Sequence, residues 1–264
     1  MSSKAPDTLE VLRARPVPPL GGFSLTFLSI EIRRLVRNRR TVILTVVVPI
    51  ILFLLLKNTK RITGSHVPDI AAITMIGIAV YGAMLAATSG GAMVSIERAL
   101  GWSRQLRITP LTPAAYISIK ILTAMFLGLT SVAVVNIFGA IDGVHMAPIT
   151  WVLTAVLAWA SALVFAALGL FAGYLLPSQN VMQIISPVLG VFALFSGLFV
   201  PLNLLPSTLQ TIAPYMPPYG VAGIARFPLV GGNFDWTWLL SVVLWTLAFM
   251  GAAMLLFRRD TRPT

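Results

Sequence analysis

Hydrophobic positions along this chain follow two patterns, and the change from one to the other sets its architecture. From Phe23 to Arg40 apolar residues recur at helical spacing (Leu25, Leu28, Ile32, Leu35, Val36), while Glu31, Arg33, Arg34, Arg37 and Asn38 take much of the remaining surface. That period predicts an amphipathic connecting helix over 23–40, lying in a membrane interface with its basic face toward anionic headgroups. The plainer reading is that Arg33–Arg40 is only the positive flank of the first span. After residue 40 the periodicity gives way to apolar runs at 41–56, 70–93, 119–141, 150–176, 181–200 and 237–257. A run of about 20 apolar residues crosses a hydrocarbon layer of roughly 30 Å. An all-α integral membrane protein with six transmembrane helices is therefore predicted. The first span is short and can borrow Leu35–Val36 or let Lys57 snorkel. Pro177-Ser178-Gln179-Asn180 makes a tight hairpin of the fourth and fifth, and Pro49 and Pro187 should bend their helices.

The segments outside the runs differ in kind. Residues 1–22 are polar, basic and proline-bearing, without an apolar signal-peptide core, and read as a flexible tail. Pro201–Trp236 is too apolar for an ordinary loop, its leucines and tyrosines divided by Pro206, Pro214, Pro217 and Pro218. Irregular backbone at membrane depth needs protein or a water-filled cavity to cover it. A re-entrant segment of short helices over 201–236 is predicted, with Trp236 and Trp238 as interfacial anchors.

Composition changes the picture in one respect, orientation. Only 10 % of the 264 residues are charged, against roughly a quarter in soluble domains, yet the net charge is +11. In a membrane chain basic residues mark the cytoplasmic side before they mark nucleic acid, so no nucleic-acid partner is implied. Eight Lys/Arg precede residue 41, Arg98, Arg104, Arg107 and Lys120 lie in 96–120, and Arg258, Arg259 and Arg262 end the chain. Lys57, Lys60, Arg61 and Arg226 fall on the other side. This bias puts both termini and the 96–120 loop in the cytoplasm. There is no cysteine, which removes thiolate catalysis and Cys-based metal sites.

Several chemistries are missing from the pattern. The interiors of the apolar runs carry no Asp, Glu, Lys, Arg or His, Lys120 standing at the edge of the third. Ion-coupled transporters keep such a group in the bundle, so energy for transport must come from another chain. No GxxxxGK[ST] phosphate loop, HExxH or GxSxG is present, so the chain is not expected to be an enzyme or to bind ATP itself. Asp142 and His145 are too few for a metal site. Asn136, and Phe192, Phe195 and Phe199 at i, i+3 and i+7 of the fifth span, are candidates for a substrate path; the phenylalanines could equally face lipid. Gly169 and Gly173 form a GxxxG that suits close packing within the subunit, or else a dimer seam. Met75, Met84 and Met93 read as packing residues.

The one substantial polar interruption in the middle of the chain is Ile96–Lys120, IERALGWSRQLRITPLTPAAYISIK. Glu97-Arg98, Gly101, Leu106, Thr109-Pro110-Leu111, Pro113 and Lys120 resemble the signature of ABC-2 type permeases, the membrane subunits of export-type ATP-binding-cassette transporters, including daunorubicin-resistance-like exporters. The resemblance covers most of the chain. Gly101-Trp102-Ser103 departs from it, since the family more often has Gly-Thr and an apolar residue there.

The resemblance implies a 41–264 transmembrane domain whose 96–120 loop carries a coupling helix docked on a separate ATPase. Glu97, Arg98, Gly101, Trp102, Arg104, Leu106, Arg107, Thr109 and Pro110 are the implied coupling residues, with Trp102 or Leu106 as the apolar knob. Arg104 and Arg107 would pair with acids of the ATPase, or instead with lipid headgroups. Glu97 would pair with a base of the 23–40 helix. The implied partners are that ATPase, which would hold ATP and Mg while this chain holds no cofactor, a second permease copy or paralogue in a dimer, and membrane lipid. The implied place is the cytoplasmic membrane. Cargo would be an amphipathic or hydrophobic drug, natural product or lipid. A non-transporting membrane scaffold is the alternative, and a membrane-embedded enzyme a more distant one.

Overall fold

The computed structural model describes residues 19–56, 70–101, 111–199, 202 and 205–260. Among them every regular element is helical. A short 3-10 turn at Pro19–Gly22 leads into α1 (Leu25–Val36) and α2 (Arg39–Leu56); α3 (Ile70–Ala92) and α4 (Val94–Ala99) follow. Next come α5 (Pro113–Ile141), α6 (Pro148–Ser161), α7 (Leu163–Leu175) and α8 (Val181–Phe195). The chain ends with α9 (Ser207–Ile212), α10 (Pro217–Val230) and α11 (Trp236–Asp260).

Among the described residues four helices are long and apolar enough to cross a membrane: Ala71–Ala99, Ala114–Ile141, Pro148–Leu175 and Trp236–Arg259. A fifth is counted if α1 and α2, bent by 79° at their junction, are taken as one span. Helix α8 is shorter than the 181–200 run predicts. Its 15 residues reach about 22 Å at 1.5 Å per residue, against a layer of roughly 30 Å. The reason is local. Gly197 takes a left-handed φ of +72°, and the Leu198 and Gly197 amides turn back to the Ala193 and Leu194 carbonyls at 3.2 and 3.5 Å. That glycine-ended stop satisfies the last carbonyls, and it leaves Phe199 beyond the helix.

Helix α3 is the axis. In its span 83 % of the apolar window is buried within the chain, against 6 % for the last span, which faces outward. It packs on α5 and α7, and also on α2, α10, α6 and α8. Small residues permit this. Gly91 of α3 lies where an added Cβ would be 2.6 Å from the Ala166 carbonyl oxygen, and a Cβ on Gly169 of α7 would be 2.9 Å from Thr88 Cα. The Thr88 hydroxyl donates to the Phe165 carbonyl at 3.2 Å across the same seam. The Gly169/Gly173 pair thus packs inside the subunit, against Thr88, Gly91 and Ala92. Met75 and Met84 are fully buried in the main core.

Helix α5 begins earlier than the apolar run predicts. Thr112 caps it, accepting from the Ala115 amide at 3.3 Å, and Pro113 occupies the first turn. Lys120 therefore stands two turns inside α5 rather than at its edge. The Thr112 amide and hydroxyl both donate to the Gly21 carbonyl, at 2.8 and 3.1 Å. This pins the segment before α1 to the start of α5.

Candidate functional site

The charged side chains that the sequence scatters over three elements meet at the end of the central helix. Helix α4 continues α3 after a break at Met93, which carries Glu97 one turn beyond the apolar stretch. Helix α5 presents Tyr116 and Lys120, one above the other at i and i+4. Helix α1 lies across them and contributes Glu31 and Arg34. Lys120 Nζ sits 2.7 Å from Glu31 Oε2 and 2.5 Å from Glu97 Oε1. Arg34 Nη1 is 3.1 Å from the same Glu97 oxygen and 3.9 Å from Glu31 Oε1. The Tyr116 hydroxyl donates to the other Glu97 oxygen at 2.6 Å.

Burial makes these contacts consequential. The side chains of Lys120, Glu97 and Glu31 are 3 %, 5 % and 10 % exposed, whereas Arg34 is 46 % exposed and closes the rim. Two carboxylates, one ammonium and one guanidinium balance in charge. Buried ions survive when such pairing and hydrogen bonding offset desolvation. The set ties α1, α4 and α5 together.

Arg98, beside Glu97, turns the other way. Its Nη1 donates to the Gly173 and Tyr174 carbonyls at 3.1 and 2.7 Å, at the last turn of α7. A cation there meets carbonyls left without partners in the helix and the negative end of its dipole. Its guanidinium also lies 5.5 Å from the Tyr174 ring centre. Gly101 ends this region with φ +76°, a conformation that favours glycine. Trp102, Arg104, Leu106, Arg107, Thr109 and Pro110 lie outside the described residues.

The structure thus pairs Glu97 with a base of the amphipathic helix, Arg34, as expected. Glu31, Tyr116 and Lys120 were not singled out as site residues from the sequence. Glu31 was set on the polar, outer surface of α1, yet only it and Leu35 are buried on that helix. The available signal was scarcity: eight acidic residues serve the whole chain, and Glu31 is the one acid among the four arginines from Arg33 to Arg39.

The candidate substrate-path residues do not form one surface. Asn136 donates its side-chain amide to the Val132 carbonyl of its own helix at 2.8 Å. Phe192 and Phe199 pack onto the main core, and Phe199 meets the Tyr81 ring edge-on at 4.9 Å. Phe195 is the last residue of α8 and is partly exposed, so the i, i+3, i+7 stripe is broken by the turn at Gly197. Arg226, counted from sequence among loop residues, lies inside α10 and donates to the Gly197 and Leu198 carbonyls at 3.0 and 2.7 Å.

The chain is similar to the protein named "Putative transport permease YvfS" of Bacillus subtilis (strain 168), 27 % identical over 227 residues that cover 83 % of this chain and 91 % of that one. The ABC-2 type transporter family matches residues 25–224, from the start of α1 into α10. With a helical bundle built for the membrane and an ion cluster at the foot of its central helix, the chain belongs to the ABC-2 type transporter family.

Proposed function

We propose that this chain is the membrane subunit of an ATP-driven exporter, and that the Glu31–Arg34–Glu97–Lys120 cluster passes the movement of a partner ATPase into the bundle. The observation that carries this reading is the placement of Glu97. It stands at the base of the 96–120 loop and is tied at once to α1 and to α5. A loop seated on an ATPase would move α3 and α5 directly, being joined to both, and would draw α1 along through the cluster. Helix α1, bent 79° from α2, suits a connecting helix in the membrane interface.

In this reading the chain crosses the cytoplasmic membrane six times, with both termini and the 96–120 loop inside. The short α8 is the fifth crossing, and the 201–236 segment forms a re-entrant cap at the far end. The ATPase supplies ATP and Mg, and a second permease, identical or paralogous, completes the path. Cargo is amphipathic or hydrophobic, a drug, a natural product or a lipid, because the bundle's charged residues are engaged at its ends.

The test is Glu97→Gln, beside Arg104→Ala, in the assembled complex. Transport and substrate-stimulated ATP hydrolysis should each fall about tenfold, within the usual range of coupling free energies, while the amount of protein in the membrane is unchanged. Normal transport by both variants would remove these residues from the coupling path.

A further inference from the structure

A second cation, half-buried, stands at the opposite end of the central helix. Gly77 and Glu97 are about 30 Å apart along α3 and α4 at roughly 1.5 Å per residue. At Gly77 an added Cβ would strike the Leu198 carbonyl and lie 2.7 Å from Arg226 Nη2, so α3 leaves room for that carbonyl and its guanidinium partner by lacking a side chain. Arg226 spends Nη1 and Nη2 on the carbonyls of the turn that ends α8. Its Nε is closed off from solvent and has no partner. Among the described residues no carboxylate pairs with it.

We propose that Arg226 is the positioning residue that latches α10 onto the end of α8, and that transport requires this latch to open. The proposal rests on the transport reading for its purpose and on geometry for its existence. A half-buried guanidinium without a counter-ion, its Nε shut off from solvent, is held by what the two carbonyls return. The turn it grips also carries Phe199 onto Tyr81 of α3. Releasing Arg226 therefore loosens α10 from the end of α8 where that end meets the central helix. A cation facing neutral carbonyls suits a contact that must break, because opening rehydrates the charge and leaves no buried acid behind. The ion cluster at the other end is charge-balanced and suits a contact that must hold.

The chain has no cysteine, so one introduced thiol reports one place. Ser196, buried beside the gripped carbonyls, and Ser95, buried at the foot of α3, are each replaced by cysteine. The purified chain in lipid nanodiscs is then treated with a water-soluble maleimide. Arg226→Met should raise the labelling rate of Ser196→Cys about a hundredfold or more, as loss of two charge-assisted hydrogen bonds predicts, and leave that of Ser95→Cys unchanged. Arg226→Lys, which keeps the charge and can still reach one carbonyl, should give an intermediate rate. Equal labelling of Ser196→Cys with and without Arg226 would overturn the latch. So would a parallel rise at Ser95→Cys, which would mean general loosening. Neither ATPase nor cargo enters this experiment, so failure of transport and failure of the latch are told apart.

Discussion

Lys120→Met is expected to cost about 3–5 kcal/mol of stability, the usual result of removing one partner from a buried ion pair. Glu31 and Glu97 would then face one another across a dry gap, with only the half-exposed Arg34 to neutralise both. The check is thermal unfolding in mild detergent followed by the loss of monodisperse protein. The double variant Lys120→Met with Glu31→Gln should recover most of the loss, because Glu97 keeps Arg34 and the Tyr116 hydroxyl. Recovery of that kind separates charge balance from packing, since the methionine is the same in both. A Lys120→Met protein as stable as the parent would mean that the ammonium is not the centre of the cluster.

Gly169→Val should be the most damaging single change in the apolar bundle. Its Cβ would press on the Thr88 backbone, with Cα and carbonyl carbon both at 2.9 Å. Neither can move without shifting the most buried helix in the molecule. Overpacking costs typically about 1–3 kcal/mol, and this backbone clash falls at the upper end because β-branching leaves few rotamers to escape into. Gly190→Ala is the control. Nothing lies within 4 Å of a Cβ at Gly190, and alanine favours a helix, so its melting temperature should match the parent's or rise slightly. Equal melting of the valine and alanine variants would mean that α3 and α7 are not packed through this seam.

These cases show which features the sequence carries openly. The 3.6-residue period of 23–40 announces α1, and the long apolar runs announce α3, α5 and α11, because both follow from local composition. Buried charges do not. A helical period sorts Glu31 to the polar surface with the arginines. Only the partner 89 residues away makes the interior tolerable for it. Lys120 stands at the edge of an apolar run, while Thr112-Pro113 starts the helix further back. Arg226 looked external among prolines, whereas the carbonyls of a turn in α8's wake draw it inward. That turn was hidden too, since Leu198-Phe199-Val200 prolongs the apolar run past the glycine that stops the helix. The implied coupling residues from Trp102 to Pro110 lie outside the described residues and rest on family resemblance.

The most direct test of the account is affinity purification of the tagged chain in mild detergent, with identification of the soluble chains that accompany it. The account predicts a stoichiometric nucleotide-binding ATPase, retained by the parent and lost when Trp102 or Arg104 is replaced. Absence of any such partner under several mild conditions would contradict it and favour a non-transporting membrane scaffold.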